Sequence, residues 1–177
     1  MAREDSDLKL CHKLTNTHLT VSGTERQKVR LATELFSDSV ANAILEYFPE
    51  NSELSTFIST IDKFFDVFNS HSEIDKLKPL KSGFGINYND QVAALQAMGS
   101  LMESIRSFKN SKATKVLLPF QHGVLQSIKS LILLYDYLSK TYEIRYILTY
   151  KLHQDSLENL FCQIRGIGHQ HDHPNPV

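Results

Sequence analysis

The chain has 177 residues, with 19 Lys and Arg against 20 Asp and Glu for a formal net charge of −1, and 41% of its residues are hydrophobic. This balance fits one compact soluble domain and excludes a nucleic-acid binder held by bulk positive charge, because phosphate contacts draw on surplus Lys and Arg. The longest apolar run, Leu131 to Tyr135, is far short of the ~20 residues a membrane helix needs, and the charged opening Met1 to Asp7 lacks the apolar stretch of a secretory leader, so Cys11 and Cys162 are expected as thiols in a reducing compartment.

Ser22-Gly-Thr-Glu25 has the spacing of a capping box, and Val29, Ala32, Phe36, Val40, Ala43 and Tyr47 then recur at intervals of three or four up to Pro49. The spacing predicts one amphipathic helix that starts at the box and stops before the proline. A second helix is predicted over Ser52 to Asn69, where Leu54, Phe57, Ile58, Ile61, Phe64, Phe65 and Phe68 make a wide core-facing stripe. Ser70 to Asn89 mixes Pro79, Gly83 and Gly85 with Lys76, Lys78 and Lys81 and has no periodicity, so it reads as a basic loop. A third helix runs from Asp90 to about Lys109, capped by Asn89 or Asp90. A fourth follows Pro119 and ends near Lys140. Tyr142 to Tyr150 is rich in β-branched and aromatic residues, and alternation of Ile144, Tyr146 and Leu148 predicts a short strand or extended segment. The last helix covers Asp155 to Arg165 and is stopped by Gly166 and Gly168. The sum is a mainly α fold, a helical array of about five helices with at most a short strand near residues 143–150.

Few motifs carry chemistry. Lys81-Ser82-Gly83-Phe84-Gly85 has its lysine on the wrong side of the glycines for a phosphate-binding loop. Asn87-Tyr-Asn-Asp90 bears a faint likeness to a guanine-reading motif, but Tyr88 stands where a lysine belongs, and a helix cap is the simpler account. His169, His171 and His173 alternate near the C-terminus and would share a metal only if the backbone turned sharply around Asp172. Asp155 and Glu158 stand one helical turn apart, where they could share a divalent cation. The same spacing also makes a helix N-cap with its reciprocal glutamate. Asp66 and Asn69 repeat that spacing, with Asp62 one turn earlier, and surface polarity accounts for them as well as ligand binding does.

The stretch Gln154-Asp-Ser-Leu-Glu-Asn-Leu-Phe-Cys-Gln-Ile-Arg165, with Asp172-His-Pro174 beyond it, resembles a signature of the P element transposases and their THAP-domain relatives. Leu8 to Leu19, Gln27 to Ala41 and Ile61 to Asn69 resemble further blocks of that family in the family's order. Two departures stand out: residues 70–115 have diverged, and the glycine pair usual after the arginine reads Gly166-Ile-Gly168-His169 here. In these transposases a helical domain that binds GTP and magnesium is inserted into an RNase H-like catalytic domain, and GTP helps assemble the protein on DNA ends.

The resemblance implies an N-terminal flank at 1–20, a helical GTP-binding insertion domain at 21–141 and a remnant of the RNase H-like domain at 142–177. It implies that Asp7, Lys13, Lys28, Val29, Ser37, Asp66, Asn69 and Asp155 line a pocket for guanine nucleotide and magnesium. Which acid meets the guanine edge and which holds the metal stays open. Glu158 matches the third acidic residue of the catalytic triad, with Asp155 and Glu158 as metal-ligand candidates. Its two aspartate partners belong upstream of the insertion, so the chain is expected to be a fragment without catalysis of its own. DNA would be met only through domains not included in the sequence, and the resemblance implies a nuclear protein, otherwise cytoplasmic and in neither case secreted. An alternative is a truncated transposase that acts as an interaction module or repressor, through itself or full-length transposase. An independent metalloenzyme built on Asp155, Glu158 and the three histidines is a third alternative.

Overall fold

The computed structural model describes residues 11–106, 108–109, 112–113 and 116–167. Six α-helices follow one another: α1 (Val29–Leu35), α2 (Asp38–Tyr47), α3 (Ser52–Phe68), α4 (Tyr88–Ser104), α5 (Pro119–Tyr142) and α6 (Asp155–Ile167). One small antiparallel pair, β1 (Phe108–Lys109) and β2 (Lys112–Ala113), lies between α4 and α5. The mainly α expectation holds.

Each helix from α2 to α5 packs on its neighbour in sequence, and the core is a stack. The larger core joins Ile61 and Val67 of α3, Leu95, Met98 and Met102 of α4, and Ile128 and Leu131 of α5 around Phe84 and Ile147. A smaller one sets Val40 and Ala41 of α2 against Ile58 of α3, with Leu14, Phe36 and Phe57 at its margin. Leu95 is fully buried, and truncating such a side chain to alanine costs about 2–5 kcal/mol.

Several predicted boundaries are corrected. The single helix expected from Ser22 to Pro49 is broken, because Phe36 (φ −90°, ψ 57°) and Ser37 (φ −115°, ψ 153°) leave helical geometry. Phe36 turns edge-on to Phe57, with ring centroids 6.1 Å apart, and Ser37 Oγ donates back to the Glu34 carbonyl at 3.0 Å. The Ser22–Glu25 box makes no side-chain cap; that stretch is a short 3-10 turn, Gly23–Gln27. The third helix starts at Tyr88, after Asn87 rather than at Asn89 or Asp90, and ends at Ser104, so that Phe108 and Lys109 fall in β1 instead. The fourth runs two residues past Lys140 and stops where Glu143 takes a left-handed conformation (φ 54°). The last continues through Gly166 to Ile167.

The segment after α5 is extended as expected but in the opposite phase. Ile147 and Thr149 are buried, while Ile144 is exposed. The reason is tertiary: Ile147 forms an antiparallel bridge with Phe84, donating to its carbonyl at 2.9 Å and accepting from its N–H at 2.8 Å. Gly83 and Gly85 permit this approach. A Cβ on Gly83 would lie 2.6 Å from the Tyr146 ring, and one on Gly85 (φ +116°) 2.7 Å from the Arg145 carbonyl oxygen.

Two residues after Ile147, Thr149 Oγ1 donates to the Val67 carbonyl at 2.7 Å and accepts from the Ser70 N–H at 3.0 Å. Ser70 Oγ accepts from the Thr149 N–H at 2.8 Å. Both residues are fully buried. Thr149→Val keeps the shape but strands the Val67 carbonyl and the Ser70 N–H, at about 1–3 kcal/mol for each buried unpaired group. Denaturant unfolding should show that loss, whereas Thr149→Ser, which keeps the hydroxyl and removes one methyl, should lose about 1 kcal/mol.

Candidate functional site

Helix α1 is short, buries none of its residues and stands between two concavities. On one side lies a cleft of about 780 Å³, within the size range of small-ligand sites. Val29 and Thr33 of α1 form one wall. Asp62, Phe65, Asp66 and Phe68 of α3, with Asn69 at its end, form the second. Phe120, Gly123, Val124 and Ser127 of α5 form the third, and His153 closes one end. The His153 ring donates through Nε2 to the Phe68 carbonyl at 2.8 Å. On the other side of α1 is a hollow of about 190 Å³ lined by Lys13, Thr33, Glu34, Ser37 and Ser39 among others. Thr33 lines both.

Asp62 and Asp66 bring charge to the apolar walls and pair with Lys78, which stands outside the lining. Lys78 Nζ donates to Asp62 Oδ2 at 3.1 Å and to both oxygens of Asp66 at 3.0 and 2.8 Å. Burial pushes the Asp66 carboxyl above its ordinary value despite Lys78, and the negative Asp62 beside it adds to the rise. For Lys78, burial works to lower the pKa, but its hydrogen bonds to Asp66 and Asp62 outweigh it and the net shift is upward. Asn69 Oδ1 accepts from His71 Nε2 at 2.8 Å, and the His71 ring stacks on Tyr150 at 4.4 Å. By the hollow, Glu34 takes Arg30 Nε at 2.9 Å and lies 3.2 Å from His18 Nε2. The Arg30 hydrogen bond leads the causes that hold its carboxyl below 4.5.

Residues 1–81 match a family described as the TNP-like, GTP-binding insertion domain. The P transposase of the transposable element P in Drosophila melanogaster is 34% identical over 97% of this chain. A solved Drosophila P element transposase strand transfer complex superposes on 97% of it with a TM-score of 0.83 at 32% identity. Along nearly its whole length the chain is similar to a segment of P element transposase, and the match to the TNP-like, GTP-binding insertion domain covers residues 1–81. The chain spans 23% of the length of the curated transposase and 39% of the chain in the solved complex. The matched region ends at Lys81 and so supplies α1, α3 and the Lys78 loop, while Phe120, Gly123, Val124, Ser127 and His153 join the cleft from beyond it.

The insertion-domain residues marked in the sequence fall into groups. Val29, Asp66 and Asn69 meet at the cleft, and Lys13 and Ser37 at the hollow. Lys28 lines neither; its ammonium lies 3.7 Å from Glu25 on the exposed side of the chain. Asp7 lies outside the described residues, as do the three histidines His169, His171 and His173 and the side chain of Asp155. Glu158 is exposed and accepts from Gln154 Nε2 at 2.8 Å, while its N–H donates to the Gln154 carbonyl, so residue 154 precedes the helix where Asp155 was expected to cap. Among the described residues no three His, Cys, Asp or Glu side chains are grouped to hold a metal.

Lys78, Phe65, Phe120 and His153 were not singled out from sequence as site residues. Lys78 sat in the basic loop as one of three lysines, and only its reach back to Asp62 and Asp66 separates it from the others. The signs of the shifts give a test. Glu34, with its carboxyl held low, stabilises the fold above pH 4.5 and loses that contribution as the pH falls through its folded value. Asp66, held high, works in the other direction, since protonation relieves its burial. Urea unfolding from pH 7 to pH 3 should show stability falling below about pH 4.5, and Glu34→Gln should flatten part of that fall.

Proposed function

We propose that this chain binds guanine nucleotide with magnesium, as the insertion domain of a P element-type transposase, with the cleft between α1, α3 and α5 receiving the base. What carries the reading is that Val29 of α1 meets Asp66 and Asn69 from the end of α3 in one aromatic-walled cleft, all three within the segment matched to a GTP-binding domain. Phe65 and Phe120 supply flat apolar surface, and a half-buried carboxylate suits the N–H donors of guanine. Lys13, in the hollow across Thr33, and Lys28 are assigned to the phosphates, as compact ammonium charges suited to them. Asp7 and Asp155 complete the site in this reading; acidic side chains there would hold magnesium, which would supply positive charge to the phosphates.

In this reading, residues 1–20 flank the insertion domain, 21–141 form it, and 142–177 belong to an RNase H-like catalytic domain. Glu158 is the third carboxylate of a two-metal centre that needs two further aspartates. DNA is engaged through other parts of the transposase, in the nucleus, and nucleotide occupancy supports assembly there. A thermal-unfolding titration with GTP, GDP and ATP, with magnesium and with chelator, tests it. A guanine-selective rise is expected, corresponding to about 2.7 kcal/mol at 100 times the dissociation constant. No rise at millimolar nucleotide, in a protein that melts cooperatively, overturns it. Lys28→Ala should weaken GTP binding with unchanged helical circular dichroism, and equal binding would remove Lys28 from the site.

A second reading, an interaction module or repressor, is favoured by α6, which exposes Leu160, Phe161 and Ile164. An apolar face of this kind commonly meets another protein surface. Sedimentation at several concentrations, alone and with full-length transposase, separates the two: a monomer indifferent to transposase counts against the interaction reading.

A further inference from the structure

Asp66 meets the cleft with neither carboxylate oxygen free, because Lys78 Nζ holds Oδ1 at 3.0 Å and Oδ2 at 2.8 Å. A ligand that docks two adjacent N–H groups on this carboxylate, one to each oxygen, has to take the face that the ammonium spans, although a carboxylate keeps further lone pairs for single donors. The loop is built so that the ammonium can leave while its backbone stays. Asp75 Oδ1 accepts from the Leu77 and Lys78 N–H groups at 2.9 Å each, and Asn87 Nδ2 donates to the Pro79 carbonyl at 2.8 Å. Gln91 Nε2 donates to the Ser82 carbonyl at 2.9 Å. None of these bonds uses the Lys78 side chain. That side chain is 45% exposed, so water can solvate a released ammonium, and Asp62 Oδ2 at 3.1 Å can retain it.

We propose that Lys78 is the resident counter-ion of Asp66, displaced by the donor that occupies the cleft, and that this exchange sets which ligands the cleft admits. The inference rests on the guanine-nucleotide reading and names the competitor within that site. A carboxylate only accepts hydrogen bonds. The guanine edge presents N1–H and the 2-amino group side by side and can replace an ammonium on two oxygens. Adenine presents an acceptor at N1, which the carboxylate repels, and leaves the ion pair in place. Without Lys78, the guanine edge would meet the carboxylate at no cost of exchange, while the N1 acceptor of adenine would still be repelled.

The test compares wild type, Lys78→Met and Lys78→Arg by calorimetric titration with guanosine, GTP and adenosine. Guanosine has no phosphate, so its response isolates the base contact. Lys78→Met should bind guanosine at least about fivefold tighter, a gain of about 1 kcal/mol. Lys78→Arg should bind it no tighter than wild type, and adenosine should stay weak in all three. Unchanged or weaker guanosine binding by Lys78→Met overturns the proposal, and weaker GTP with unchanged guanosine would assign Lys78 to the phosphates instead. A second measurement uses wild type alone: amine-reactive labelling of Lys78, read by mass spectrometry, should rise with saturating guanosine, and protection or no change overturns displacement. If no guanine ligand binds wild type, the guanine-nucleotide reading fails separately. Labelling with magnesium alone then decides, since a rise supports displacement by a cation and no rise removes the exchange altogether.

Discussion

The hydroxyl clasp between Ser70 and Thr149 is the constraint on which the rest of the arrangement depends. It joins the end of α3 to a segment on the far side of α4 and α5 in sequence, with both partners fully buried and their four polar groups satisfied by one another and by Val67. The Phe84–Ile147 bridge holds the same extended segment two residues earlier, against a different stretch of the chain. Together they fix the extended segment against the α3–α4 connection. They thereby set where His153 closes the cleft and where α6 begins. Because the partners are polar and sealed from water, losing one side exposes the cost of the other, which makes the joint more selective than an apolar contact of equal area.

The cleft combines opposing tendencies that a stable monomer would not need. Two carboxylates one turn apart on α3 repel each other, and burial disfavours the charge on Asp66. Lys78 offsets this by sharing its ammonium, which is why its own pKa rises even though burial alone would lower it. Filling the positions of Asp62, Asp66 and Lys78 with apolar residues would often cost nothing in stability. Two carboxylates on an aromatic-walled cavity, paired from behind by Lys78, instead give the cleft a chemical selectivity, since a donor pair that docks across both Asp66 oxygens competes with the ammonium.

Much of the helical array was legible because the stripes that bury it are local. Ile58 and Ile61 on α3, Leu95 and Met98 on α4, and Ile128 and Leu131 on α5 recur at helical spacing and do form the cores, whereas the fully buried Val67 lies off the predicted stripe. What failed was set by distant partners. The apolar spacing runs unbroken through Phe36, yet the helix breaks there because Phe36 turns to Phe57. The alternation around Tyr146 carried no sign of phase, which Phe84 decides from the other half of the chain. For the site, the resemblance marked Val29, Asp66 and Asn69, which share the cleft, and Lys13 and Ser37, which share the hollow. It could not mark Lys78, whose significance lies in a side-chain pairing rather than in a motif. Nor did it mark Phe120 and His153, which come to the cleft through the packing of α5 and the clasp.

The position of α1 links these observations to ligand response. It buries no residue of its own, whereas α3 and α5 are anchored in the main core. Elements with few buried apolar contacts sit at the low-stability end of a fold. The cleft walls come from all three helices, and Thr33 faces the hollow on the other side as well. An occupant touching α1, α3 and α5 therefore adds contacts where the protein has fewest, and its free energy goes mainly into fixing α1 on the array. Because Thr33 lines both cavities, the position of α1 is common to the cleft and the hollow. Fixing α1 needs no movement of the core, because the clasp and the α3–α4–α5 stack are complete without α1.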